Sequence, residues 1–211
     1  MPLPKQILEG LATISNDWQT LAIVWHLLTG AFLGAILLGW RPQKRLAGVA
    51  LAAPLVSVSA LAWGNGNPFN GAVFAAVAAV LASVALSLPG APVRMAPGRL
   101  AAAGTFLVAF GWAYPHFLRT GSWATYLYAA PMGLIPCPTL SAATGTALLL
   151  GGLGSRAWSL VLAVTGLVYA VIGVMRLGVV IDLILLAGAA ALAIAVGARL
   201  PGPDPGGRQG G

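Results

Sequence analysis

From about residue 20 the chain repeats one pattern. A run of apolar residues long enough to cross a bilayer is followed by a short break of polar, proline or basic residues. A spanning helix needs roughly 20 predominantly apolar residues, with about 17 to 25 observed. The pattern predicts seven such segments, at Thr20–Trp40, Leu46–Trp63, Asn70–Leu88, Leu100–Leu118, Pro131–Gly151, Ala157–Met175 and Val179–Ala198. The last two form a nearly unbroken run, divided at the stretch MRLG because Arg176 is expensive at the bilayer centre. The expected fold class is all-α: a polytopic membrane helix bundle of about seven transmembrane helices. Residues 1–198 form a single bundle domain, and the Pro/Gly-rich tail 199–211 is expected to be disordered.

Composition narrows the class further. Hydrophobic residues make up 59% of the chain and charged residues 7%, against about a quarter charged in a soluble domain. A water-soluble protein is excluded, and the lipid bilayer becomes the first partner. The net charge of +7 invites a nucleic-acid reading, but the basic residues are scattered between apolar runs. No basic groove with stacking aromatics accompanies them, so nucleic acid is excluded as a partner. The single cysteine, Cys137, excludes an intramolecular disulfide and any Cys-x-x-Cys zinc or redox motif. The first apolar run begins near Leu21, is long enough to span, and has no A-x-A cleavage pattern after it, so an uncleaved first helix is expected.

Charge also sets direction. Arg41, Lys44, Arg45, Arg94, Arg99, Arg156, Arg199 and Arg208 fall on one side of the seven segments, and Lys5, Arg119 and Arg176 on the other. The positive-inside rule places the larger group in the cytoplasm, with the N-terminus outside and the C-terminus inside. Small residues four apart, Gly30 with Gly34 and Ser141 with Gly145, let helix backbones approach in lipid. They are expected to pack the bundle itself, and such faces are also the candidate contacts for a homo-oligomer or for partners in a membrane complex. The stretch RTGSWATYLYAA, rich in Trp and Tyr, reads as an interfacial segment.

With direction assigned, the polar side chains acquire depths. His26 and Cys137 each lie six residues into a segment, about 9 Å below the outer surface. Asp182 lies about one turn deep in the last segment. Tyr114 and His116 occupy the outer end of the fourth, and GNGNPFN, with Asn65, Asn67 and Asn70, joins the second and third on that face. Ionisable residues inside spans point to function because burying them in lipid is costly. Each also has a structural reading. Asp182 could pair with Arg176, His26 could bond a neighbouring helix carbonyl, His116 could finish a helix, and Asn-Gly with Asn-Pro form turns.

The decapeptide PMGLIPCPTL, Pro131–Leu140, concentrates three prolines around the thiol. Pro136 and Pro138 remove two amide donors, and carbonyls left without helical partners inside a membrane must face protein, water or an ion. The reading is either a thiol held on broken backbone, as at sites built from discontinuous helices, or a helix start where proline is cheap.

Three stretches resemble an uncharacterised family of small bacterial multi-pass membrane proteins. NPFNGAVFA at 67–75 is similar to its Asn-Pro stretch opening a helix, and Tyr114–Pro115 matches its Tyr-Pro. PMGLIPCPTLSAATGTALLL is similar to its Pro-x-x-Gly-x-x-Pro-Cys-Pro-Thr signature. Leu140 stands where that family more often has a second threonine. The resemblance implies a bacterial inner-membrane location and a focus on Asn67, Pro68, Tyr114, Pro115, Pro136, Cys137, Pro138 and Thr139. It brings no chemistry and no cofactor with it.

The function expected first is binding or transport of a small solute or a soft metal ion at an outer-leaflet pocket around Cys137. Its candidate residues are Cys137, Pro136, Pro138, Thr139, Tyr114, His116, His26, Asn67, Asn70 and Asp182. A soft metal would use Cys137 with His26 or His116, although the Met-rich and paired-Cys motifs of metal carriers are missing. An accessory subunit of a membrane complex ranks second. A thiol-dependent enzyme or redox partner, with a histidine as base to Cys137, ranks third.

Overall fold

The computed structural model describes residues 3–197. The expected disordered tail, with Arg199 and Arg208, lies outside the described residues, as does Ala198 at the end of the last expected span. Nine α-helices are described: α1 Pro4–Asp17, α2 Gln19–Leu37, α3 Lys44–Gly64, α4 Pro68–Ser87, α5 Gly98–Trp112, the single turn α6 Tyr126–Ala129, α7 Pro136–Leu149, α8 Arg156–Val171 and α9 Leu183–Gly197. Among the described residues no strand occurs, only an isolated bridge between Gln43 and Pro92.

Five helical stretches are long and apolar enough to cross a membrane: Gln19–Leu37, Lys44–Gly64, Pro68–Ser87, Arg156–Arg176 and Val180–Gly197. The chain has the helical make-up of a multi-pass membrane protein. The fourth and fifth expected segments need correction. α5 has 15 residues and α7 has 14, about 22 and 21 Å of helix against a hydrocarbon core of about 30 Å. α5 stops at Trp112 because Pro115 cannot continue it and disfavours helical backbone at Tyr114. α7 starts at Pro136 and not at Pro131. The intervening residues turn back on themselves, with the amides of Leu134 and Ile135 donating to the Pro131 carbonyl at 3.2 and 3.3 Å.

This shortness is tolerable because α7 is the axle of the bundle. Twelve of its fourteen residues are buried, so the irregular backbone before it is enclosed by protein. α5 lies directly against it. A methyl group on Gly104 would stand 2.7 Å from the Gly145 carbonyl oxygen, and one on Gly111 would stand 2.6 Å from that of Pro138. Ser141 and Gly145 therefore do the close packing expected of them. Gly30 and Gly34 do not. They bring no helix backbone close: Gly30 packs tightly on the Trp112 ring, 3.1 Å from where its methyl would stand, and Gly34 has nothing within 4 Å.

The basic breaks converge on one end of the bundle. The Lys44 amide donates to Ala91 and the Val93 amide to Pro42, the Arg45 guanidinium donates to the Leu88 carbonyl, and the Ala96 amide donates to Leu149. Arg41, Lys44, Arg45, Arg94, Arg99 and Arg156 thus sit on segments that meet there. The opposite end carries α1, an amphipathic helix the apolar-run pattern does not predict. Its Ile14 is buried with Leu61, Leu134 and Ile135, while Lys5 and Glu9 pair on its exposed side at 3.9 Å.

Candidate functional site

At the α1 end a cavity of about 290 Å³ opens between α1, α4, α7 and the junction of α8 with α9. Ile7, Leu11, Phe69, Phe117, Ile172 and Leu177 give it apolar walls, and Asn67, Asn70, Cys137, Tyr169, Arg176 and Asp182 supply its polar groups. Local sequence explains how each reaches the cavity. Asn67 caps α4, its side-chain oxygen accepting from the Asn70 amide at 3.1 Å, and Pro68 occupies the first turn, where its missing N–H costs nothing. This is the turn chemistry expected of the asparagine loop. It also delivers Asn70, whose side-chain oxygen accepts from the Tyr169 hydroxyl at 2.9 Å.

Asp182 is the centre of the polar floor. Its side chain is 1% exposed, and its carboxylate accepts from the Tyr114 hydroxyl at 2.7 Å, with Cys137 of α7 lining the same floor. Three elements thereby meet at one floor. The chain reaches this position through a break: Ile172–Arg176 is a π-helical turn, the Val179 amide returns to the Gly173 carbonyl at 2.9 Å, and a single 3-10 turn, Val180–Asp182, precedes α9. Such widened turns recur at functional sites. Gly173 makes room for the carboxylate, because a methyl group there would overlap the Asp182 Oδ2 atom. Arg176 lines the same cavity, close in sequence to Asp182 but on the exposed side.

The Pro-Cys-Pro-Thr stretch is a helix start. Pro136 and Pro138 fall in the first turn of α7, where amides have no intrahelical acceptor. The expectation of carbonyls orphaned by these prolines is corrected accordingly. The Thr139 hydroxyl completes the turn: it accepts from the Gly133 amide at 2.8 Å and donates to the Ile135 carbonyl at 2.7 Å. Gly133 has a φ of +79°, and the Trp25 ring occupies the space a side chain would need. Pro136 and Cys137 line the cavity, with Cys137 half-buried, whereas Thr139 faces the other side of α7.

The two histidines do not join this group as ligands. His26 is buried outside the cavity, with Nδ1 2.8 Å from the Ala22 carbonyl and Nε2 2.9 Å from that of Trp112. Both ring nitrogens face backbone carbonyls and the ring does not line the cavity, so its place in a shared site with Cys137 is corrected. His116 is exposed and lies edge-on to Phe117 at 4.3 Å between ring centroids, outside the residues that line the cavity. Among the described residues no three His, Cys, Asp or Glu side chains gather as metal ligands would.

Several residues of the site are not evident from the apolar pattern. Tyr169 and Gly173 sit inside an apolar run, and only the tyrosine hydroxyl signals a polar role. Ile7 and Leu11 come from α1, whose apolar residues Leu3, Ile7, Leu11 and Ile14 recur at helical spacing in a segment too polar to span. Phe117 lines the cavity at a φ of +76°, an uncommon conformation for a bulky residue. It is held by Asn16, whose amide donates to the Phe117 carbonyl at 2.9 Å and whose oxygen accepts from the Arg119 amide at 2.9 Å. Set against protein-family models, curated proteins and solved structures, the chain matches none of them.

Proposed function

We propose that this is a seven-crossing protein of the bacterial inner membrane, N-terminus outside, that binds a small organic solute in the Cys137 cavity as a carrier or receptor. The observation that carries the reading is Asp182: a carboxylate 1% exposed, placed on a purpose-broken helix junction at the floor of a cavity of about 290 Å³. Its burial is costly in a membrane, and its place on the cavity floor exposes that cost to a ligand's polar group. The apolar walls suit a solute with a hydrocarbon body, and Asn70, Tyr169, Cys137 and Asp182 suit its polar group. A soft metal ion is the weaker occupant, since no histidine completes a ligand set with the thiol. The convergence of six basic residues on the opposite end supports the orientation, with that end in the cytoplasm.

Cys137 is the only thiol, so its modification reports this site without further engineering. A membrane-impermeant methanethiosulfonate reagent applied to intact cells is expected to label it, and labelling is expected to fall when the reagent meets inverted vesicles. Labelling from the cytoplasmic face alone would reverse the orientation. No labelling from either face, with full reaction after denaturation, would remove the solvent-reached cavity and with it the binding reading.

A further inference from the structure

A second cavity, of about 300 Å³, lies on the other side of α7, between α2, α3 and α7. We propose that it is a binding slot for one acyl chain of a surrounding phospholipid. The proposal rests on the membrane reading, and makes no use of the solute assigned to the Cys137 cavity.

The chemistry of the walls is hydrocarbon. Trp25, Leu28 and Phe32 come from α2, Leu51 and Ala53 from α3, and Ala142, Ala143 and Thr146 from α7. The hydroxyls that border the slot on α7 are already used: Thr139 and Thr146 donate to the Ile135 and Ala142 carbonyls at 2.7 and 2.8 Å. Pro54 also lines the slot and has no N–H to offer the Ala50 carbonyl, so that carbonyl and the Thr29 hydroxyl are the polar groups the slot retains. Hydrocarbon dominates the lining, and water, which needs two to four polar partners, finds few of them there. An engineered apolar cavity of about 150 Å³ stays dry and takes up benzene. This one is larger, and the hydrocarbon at its rim is lipid.

Shape and access agree with a chain and not with a compact ligand. From Trp25 to Phe32 the α2 wall runs about 10 Å along the helix. Leu28 lines the slot and is 54% exposed, so the slot opens at the outer surface of the bundle between helices already long and apolar enough to span. Small residues on α7 form the trough: Ala142, Ala143 and Thr146 admit a narrow chain up to an otherwise enclosed helix. Trp25 closes the end nearest Gly133, its Nε1 donating to the Ser57 hydroxyl at 3.1 Å, and this bond holds the ring in place as a wall.

The test uses the full chain reconstituted in phosphatidylcholine vesicles doped with phosphatidylcholine that carries a diazirine midway along one acyl chain. After irradiation, adducts are mapped by mass spectrometry. Adducts are expected on Val164 and Ile194, which are exposed on the bundle surface, and also on Ala142, Ala143 or Thr146 of α7. Ala53→Phe, which fills the slot from α3, is expected to bring the α7 adducts to the level of unirradiated controls while those on Val164 and Ile194 persist. Ala50→Leu fills the same slot from one turn earlier and gives the same outcome if Ala53→Phe does not fold. Labelled Val164 and Ile194 with an unlabelled α7 would overturn the proposal. So would α7 adducts that survive both filled variants. Absence of adducts at Val164 and Ile194 as well would instead sink the membrane reading beneath it.

Discussion

The start of α7 divides two cavities of nearly equal volume, about 290 and 300 Å³, with opposite chemistry. Pro136 and Cys137 face a carboxylate, two asparagines and a tyrosine. Thr139, Ala142, Ala143 and Thr146 face tryptophan, leucine and phenylalanine across a wall that is hydrocarbon apart from the Thr29 hydroxyl and the Ala50 carbonyl. One short helix can serve both because its backbone needs are met locally. Two prolines sit where amides have nothing to lose, and the Thr139 hydroxyl closes the turn before them. The lesson is that the prolines of this stretch start a helix and free no backbone carbonyls for a ligand. The stretch positions a thiol on one side and a smooth trough on the other.

The most damaging way to break this arrangement is to fill the glycine that serves each side. Gly133→Ala puts a methyl group into the Trp25 ring and forces a side chain to a φ of +79°, and Gly173→Ala drives a methyl group into the Asp182 carboxylate. Each is expected to cost about 2–4 kcal/mol, the sum of overpacking and either backbone strain or an unmade buried bond. Thermal unfolding in detergent measures it. The comparison sharpens in the readouts. Gly173→Ala is expected to alter Cys137 labelling and leave the Trp25 slot intact, and Gly133→Ala the reverse.

Tyr114→Phe is a smaller intervention on the polar side alone. It removes the 2.7 Å bond to Asp182 without changing shape, and leaves the carboxylate with one fewer buried donor. A loss of about 1–3 kcal/mol is expected, because an unsatisfied buried acceptor costs its desolvation. Methanethiosulfonate labelling of Cys137 is expected to accelerate as the floor that the thiol shares becomes less fixed. Unchanged stability and an unchanged labelling rate would mean that the carboxylate does not organise the floor. Asn16→Ala reaches the same cavity from above. It removes two bonds that hold Phe117 and Arg119 to α1, costs about 1 kcal/mol at a half-buried position, and is expected to speed labelling by loosening the helix that carries Ile7 and Leu11.

How much of this was legible beforehand depends on which physical signal carried each feature. The helices lie where the apolar runs are, because a run of that length has one economical conformation in lipid. The gathering of Asn67, Asn70, Tyr114, Cys137 and Asp182 at one end followed from counting residues along helices of alternating direction. Counting along axes says nothing about rotation around them. His26 is at the expected depth and turned toward Trp112, so depth alone assigned it to the wrong group. The apolar runs overstate helix length in α5 and α7, where enclosure by protein tolerates irregular backbone beyond the helix ends. α1 leaves no mark among the apolar runs because its spacing is amphipathic and its composition polar. The slot beside Trp25 had no sequence signal at all. A void is made by the separation of helices, and its alanines read as ordinary lining.

The gentlest test concerns that slot. Thr146 is buried in its wall and returns its hydroxyl proton to the Ala142 carbonyl of its own helix at 2.8 Å. Such back-bonding adds little to a helix and slightly disfavours it. Thr146→Val keeps the branched shape and replaces the hydroxyl by a methyl group. If the wall is read by a hydrocarbon chain, nothing that the chain touches has changed. Stability is expected to stay within about 0.5 kcal/mol of the parent in thermal unfolding, the range of substitutions that disturb no named feature. The diazirine adducts on α7 are expected to persist at parental yield. A lost adduct with unchanged stability would mean that the hydroxyl itself is recognised, and the slot would then belong to a polar ligand and not to an acyl chain. The corresponding isosteric change across the helix start, Thr139→Val, removes two bonds where Thr146→Val removes one redundant bond. The difference between the two variants therefore measures how much of α7 is held by its turn and how little by the wall of the slot.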